Sequence, residues 1–292
     1  MKKLVAICLL LTVVGWISCS AQIFSKIEGN GLKSPSYIFG SHHLSPVSVV
    51  EEAGAMKYFD ETSQIVGEID MTMNPLALAM ALQPFMMAPA DSTLNVLLQG
   101  ENMEELNAEF EKWSPMPGMT LEMMNAFKPM VVSAMVAVKM NQEAMPGFDP
   151  NQQLDAYFMN LGAENGKKII ALETPEYQGE VLYNSTPLSV QAEALVELLK
   201  EPEKTVELTK QLSQAYLDRD LEMLVQLAKE EDENPEFMEA LLYRRNAEWM
   251  EKLPSIIEDA PTFIVVGALH LIGDKGIIEG LRSKGYTVAP LY

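Results

Sequence analysis

The sequence predicts an α/β (α+β) fold: a small central β-sheet flanked by many helices, in two pseudo-related halves, each with a strand-Gly-x-x-His or strand-Glu element. Three observations predict it. Short runs of β-branched and aromatic residues end at Gly or Pro, as strands do. Long intervening stretches carry apolar residues at three- and four-residue spacing, as amphipathic helices do. The two patterns alternate sparsely, which favours a small sheet within a helical body.

In chain order, Ser36-Tyr37-Ile38-Phe39 is the first expected strand and ends at Gly40. A helix is expected over Val47 to Phe59, after the turn at Pro46. Strands follow at 64–69 and 168–172, then at Thr262-Phe263-Ile264-Val265-Val266 before Gly267, and at Tyr286-Thr287-Val288-Ala289. A helix over 273–283 separates the last two. The middle, roughly 75–160 and 176–258, reads as helix. Leu195, Leu198 and Leu199 set its period, as do Leu221, Leu224, Val225 and Leu227. Pro84, Pro89, Pro115, Pro117, Pro129 and Pro146 divide its first part into short helices. Fourteen of the 20 Met lie between Met71 and Met145, so a Met-rich helical insert is expected at about 71–160. Flexible core filling explains such Met, and an adaptable apolar groove is the functional alternative.

Residues 1–21 stand apart. Lys2 and Lys3 precede 14 residues, Leu4 to Ile17, without a charge. A membrane span needs roughly 20, so the segment reads as a secretory signal. Ser18 before Cys19 fits lipidation of Cys19, with cleavage after Ala21 as the alternative. Residues 22–292 then form one exported domain, expected as a lipoprotein of a bacterial outer membrane or periplasm. No Cys follows Cys19, so the mature domain has neither a disulfide nor a thiolate. The chain carries 21 Lys+Arg and 41 Asp+Glu, a net −20. Losing residues 1–21 removes two Lys and no acid, leaving −22. That balance excludes a general nucleic-acid binder, and contact with the membrane is expected through the lipid anchor only.

The candidate chemistry lies at strand ends. Gly40-Ser41-His42-His43 and Gly267-Ala268-Leu269-His270 each read strand, Gly, two residues, His, and together they hold all three His. The Gly lets the backbone turn, and the His is presented where open α/β sheets place their sites. Glu68 and Glu173 likewise end strands. A buried Glu needs a partner or a cation. Two His and two Glu could hold one divalent ion with an open water position. They could equally work metal-free, with Glu as base and His as acid or orienter. Arg245 and Asn246, on a helix with Trp249, are candidates to hold a substrate carbonyl or carboxylate, or to orient a Glu. A Gly-rich phosphate loop, a Gly-x-Ser-x-Gly elbow and a His-Glu-x-x-His motif are all absent from the sequence.

Taken in order, four motifs resemble the TraB/GumN family. These are Gly40-Ser41-His42-His43, Leu172-Glu173-Thr174-Pro175-Glu176-Tyr177-Gln178, Arg245-Asn246-x-x-Trp249, and Val266-Gly267-Ala268-Leu269-His270-Leu271-Ile272-Gly273 with Gly276 and Gly285-Tyr286. The resemblance runs from about residue 24 to 292, with Ser41 in place of the usual Thr and Leu269 where a small residue is common. It implies a fold related to erythromycin esterase-like and ChaN-like proteins. It also implies His43, Glu68, Glu173 and His270 as core site residues, with Arg245 and Asn246 beside them. The expected function is a divalent-metal-dependent hydrolase, a peptidase first of all, acting on a peptide or small molecule. His43, His270 and Glu173 would hold an ion of the Mn, Co or Zn class, and Glu68, Glu173, Arg245 and Asn246 would serve catalysis. The alternatives are a non-catalytic peptide- or haem-binding envelope protein and a metal-free esterase-like hydrolase.

Overall fold

A computed structural model describes residues 23–291 except 44, 146 and 232–234. The expected signal segment, with Cys19, lies outside the described residues. Six strands form one mixed sheet: β1 (Phe24–Gly29), β2 (Ser36–Ser41), β3 (Gln64–Gly67), β4 (Lys168–Ala171), β5 (Thr262–Gly267) and β6 (Tyr286–Pro290), in the order β4-β3-β5-β2-β1-β6. β2, β5, β3 and β4 run parallel, while β1 is antiparallel to both β2 and β6.

Parallel neighbours need long crossovers, and helices supply them. α1 (Ser48–Glu52) and α2 (Ala55–Asp60) join β2 to β3. α3 (Pro75–Met86), α4 (Leu94–Leu97), α5 (Met103–Trp113), α6 (Pro129–Ala144) and α7 (Leu154–Glu164) lead to β4. α8 (Pro175–Asn184), α9 (Leu188–Lys200), α10 (Pro202–Leu217), α11 (Leu221–Glu231), α12 (Pro235–Met238), a π turn (Glu239–Tyr243) and α13 (Arg244–Asp259) lead to β5. A 3₁₀ turn (Ala268–Leu271) and α14 (Ile277–Ser283) precede β6.

The strand expectations agree with these bounds to within two residues, and β1 is an addition. The single helix expected at 47–59 is two, because Gly54 sits in the left-handed region at φ 60°. The helix expected from 273 starts at Ile277, after Gly273 at φ 79°. The stretch 71–160 is largely helical. Its Met divide, with Met119, Met124 and Met140 packed in the helical core and Met80, Met116 and Met123 exposed.

Alternation along the central strands builds two apolar layers. Tyr37, Phe39, Ile65, Phe263 and Val265 face one side, with Phe59 and Phe158. Ile38, Val66, Ile264 and Val266 face the other, with Trp249, Leu253 and Leu281. Phe158 is the hub of the first layer, with its ring 4.9 Å from Phe263, 5.3 Å from Phe39 and 6.0 Å from Phe59. Phe158→Ala is therefore expected to cost about 3–5 kcal/mol, read as a lower denaturation midpoint at unchanged slope. A loss under 1 kcal/mol would show that this layer does not hold the sheet.

Candidate active site

Every parallel strand ends at the same edge, and the edge collects the chemistry. β2 and β5 pair in register from Tyr37↔Phe263 to Ser41↔Gly267, so their two Gly-x-x-His elements lie side by side. β3 and β4 pair from Gln64↔Lys168 to Gly67↔Ala171, so Glu68 and Glu173 also leave as neighbours, and the Glu173 amide donates to the Glu68 carbonyl at 2.9 Å. Read along the edge, the order is Glu173, Glu68, His270, His43. The two halves are thus interleaved in one sheet.

Arg245 enters from the first turn of α13 and is buried, as are Glu68, Glu173, Asn246 and His270. Its Nε donates to Glu173 Oε2 at 3.0 Å and its Nη2 to Glu173 Oε1 at 2.6 Å, a bidentate pair. Nη2 also donates to Glu68 Oε2 at 2.5 Å, and Nη1 to the Leu241 carbonyl of the π turn at 2.9 Å. Nη1 lies 3.1 Å from His270 Nε2. Five N–H groups thus meet five protein acceptors. Gln178 of α8 spans both acids, donating to Glu68 Oε2 and Glu173 Oε1 at 3.2 Å each. The Trp249 indole donates to Glu173 Oε2 at 3.3 Å, and the guanidinium lies 4.7 Å from the Trp249 ring.

Asn246 fixes His270. Its Oδ1 lies 2.6 Å from His270 Nδ1, and its Nδ2 donates to the His270 and Lys275 carbonyls at 3.2 and 2.9 Å. An acceptor at Nδ1 and a guanidinium donor at Nε2 select the neutral tautomer protonated on Nδ1. Burial pushes His270 down to about 4, and the nearby Glu68 only partly offsets this. The imidazole is therefore neutral at pH 7.

His43 differs. Its side chain is 55% exposed, and its Nδ1 donates to Asp155 Oδ2 at 2.8 Å. Ser41 Oγ donates to Asp155 Oδ1 at 2.9 Å, so its hydroxyl aims the carboxylate. The Asp155 carboxylate beside it raises His43 to about 9. His42 turns away, its ring 5.3 Å from Tyr216, whose hydroxyl donates to the Gly40 carbonyl.

Gly267 forms the floor. Its N–H donates to Glu68 Oε1 at 2.8 Å. A Cβ built on it would lie 3.4 Å from Glu68 Oε1, 3.4 Å from His270 Cδ2 and 3.8 Å from His43 Nε2. The bare Cα leaves open a point on which an acid and a base converge.

A family model described as TraB/PrgY/gumN family matches residues 23–290. The chain belongs to the TraB/PrgY/gumN family. No curated protein and no solved structure matches it. The edge thus unites, in this TraB/PrgY/gumN chain, Glu68, Glu173, Arg245, Asn246 and His270 in one buried cluster, with His43 at its rim. Asp155 and Gln178 join them, although sequence reasoning named neither as a site residue. Gln178 had a signal in the Glu173–Gln178 motif. Asp155 had none, because an acid in the first turn of a helix is ordinary.

The divalent ion that the resemblance implies does not fit these donors as arranged. Among the described residues no group of three or more His, Cys, Asp or Glu is set to hold a metal. Both oxygens of Glu173 and one of Glu68 face the guanidinium, and His270 Nε2 faces it too. The guanidinium already pairs with both acids.

Burial alone would raise Glu68, but His270, Arg245, His43 and the Gly267 N–H outweigh it and bring it to about 2. Burial also opposes the charge on Arg245, which Glu173 and Glu68 restore. The acids therefore depend on Arg245. Arg245→Met is expected to destabilise the domain by about 3–5 kcal/mol, because two carboxylates are left facing each other. A chemical denaturation curve within 1 kcal/mol of the parent's would contradict this ion-pair core.

Proposed function

We propose that this chain is an exported hydrolase that splits an acyl bond, in a peptide or a small ester, by proton transfer between Glu68 and His43 without a resident metal. The observation that carries the reading is the convergence of Glu68 Oε1 and His43 Nε2 on the bare Gly267 Cα. The envelope location rests on the composition of residues 1–21.

In this reading the acyl carbon lies above Gly267. Glu68 is ionised throughout the neutral range and accepts a hydrogen bond from a water at Oε1. As the water oxygen bonds to the acyl carbon its acidity rises, and its proton passes to Glu68. The imidazolium of His43 gives its Nε2 proton to the leaving nitrogen or oxygen as the acyl bond breaks. The products are an acid and an amine or alcohol, and proton exchange with solvent resets both groups. Asp155 holds the His43 ring and charge, as a third group orients a base in a triad. Arg245 and Asn246 have their donors committed, so they position the site and fix the His270 tautomer.

His43→Gln tests this directly, since the side chain is half exposed and the fold should tolerate the change. Cleavage of a peptide library and an ester panel is expected to persist in the parent after exhaustive chelation. It should fall about 10²–10⁴-fold in the variant, with an unchanged unfolding curve. Cleavage unaffected by the substitution, or appearing only with added Mn, Co or Zn, would overturn the reading.

Protonated His43 is the acid, so the rate should hold through neutral pH and fall as pH rises through about 9. The same sign applies to stability. A folded pKa raised above 6.5 contributes stability at low pH that fades as pH passes 9. A rate still rising at pH 10 would reverse the assignment and make His43 the base.

Gly267→Ala sets a methyl 3.4 Å from Glu68 Oε1 and fills the open point. Cleavage should fall at least tenfold while the unfolding midpoint moves little. An unimpaired rate would place the reacting bond elsewhere.

A further inference from the structure

Helix α3 is apolar and unpartnered along its outer side. None of its residues is buried, and Leu76 and Met80 are 69% and 67% exposed. The 20 residues from Met71 to Ala90 contain no charge, in a chain of −20. On the inner side, Leu82 and Phe85 press on Gly179 of α8, where a Cβ would lie 2.8 Å from Phe85 Cδ2. The segment leaving α3 is tied to the chain beyond exposed Met123, with the Ala88 N–H donating to the Ala126 carbonyl at 2.9 Å. A single exposed Leu needs no explanation, whereas an uncharged helix with an exposed apolar row does.

The place of α3 in the fold names what covers it. α3 begins eight residues beyond the end of β3, and α8 begins four beyond the end of β4, so both leave the carboxyl edge. The chain enters the fold at that edge as well, where the Ile23 carbonyl accepts the Gly40 N–H at 2.6 Å. Cys19 lies four residues before Ile23, which even a fully extended chain spans in about 14 Å. A lipid on Cys19 would hold this edge against a bilayer. Among the described residues no helix is long and apolar enough to cross a membrane. Twelve residues make a helix about 18 Å long, too short to span a bilayer.

We propose that α3 rests on the membrane surface, with Leu76 and Met80 in the boundary between headgroups and acyl chains, so that the site's edge faces the lipid. The proposal rests on lipidation of Cys19 and is independent of the reaction assigned to the site. With no Lys or Arg in Met71–Ala90, the contact is apolar and insensitive to salt.

The test uses the full chain, exported and processed in a bacterium, then reconstituted in phosphatidylcholine vesicles. Leu76→Cys, Met80→Cys and Asp259→Cys are labelled with a polarity-sensitive dye, and the labelled parent serves as blank. Asp259 precedes β5 and marks the opposite edge. Doxyl-labelled lipid should quench the dye at 76 and 80 several-fold more than at 259, equally in low and high salt. Bound chain with no excess quenching at 76 and 80 overturns the proposal, as does a dye shielded there by a second copy, seen as a dimer mass without quenching. Chain that stays off the vesicles also overturns it. The mass of the N-terminus then tells whether the anchor itself is missing or only the apolar face has failed.

Discussion

The buried guanidinium of Arg245 is the constraint on which the rest of the site depends. Two carboxylates leave adjacent strands of a parallel sheet and are buried together. Burial works against the charge on both and leaves Glu173 raised, an effect offset by a neighbouring cation. Arg245 supplies it, with one bidentate bond to Glu173 and one bond to Glu68. The same group settles the protonation of His270 by donating toward Nε2 while Asn246 accepts at Nδ1. One side chain thus pairs with three others, the two acids and His270. The rim residue, His43, takes its charge from a separate acid, Asp155.

The sheet makes this possible through strand order. Placing β5 between β3 and β2 sets the second Gly-x-x-His element between the first one and the two acids. Interleaving puts all four on one edge, and the crossover helices bring Arg245, Asn246, Gln178 and Asp155 to it from α13, α8 and α7. Glycines at strand ends keep the edge open, since a Cβ on Gly40 would meet Leu271 Cδ1 at 2.7 Å and one on Gly267 would fill the site.

Much of this was legible in the residues. Runs such as Thr262–Val266 are β-branched, apolar on both faces and bounded by Pro and Gly, so buried parallel strands could be read from them. β1 escaped because Phe24-Ser25-Lys26-Ile27-Glu28 mixes charge into an alternating run directly after the apolar leader. Glu68, Glu173, His43 and His270 stand out because each follows a strand. Of the partners on helices, Arg245 and Asn246 stood out beside Trp249, and Gln178 lay within a motif. Asp155 looks like any charge on a helix surface, and only the folding of distant segments shows it buried. Nor could spacing along the chain show that a guanidinium pairs with the two acids expected to hold an ion. The sequence lists donors, and it cannot show that a guanidinium already stands among them.

Arg245, paired with both acids, leaves no place among them for a divalent ion in the reading proposed above. Elemental analysis of the full chain, purified without chelator and with Mn, Co and Zn in the growth medium, puts this to the test. Well under one equivalent of any of these metals per chain is expected. One equivalent retained through gel filtration, and lost in both His43→Ala and His270→Ala, would contradict it.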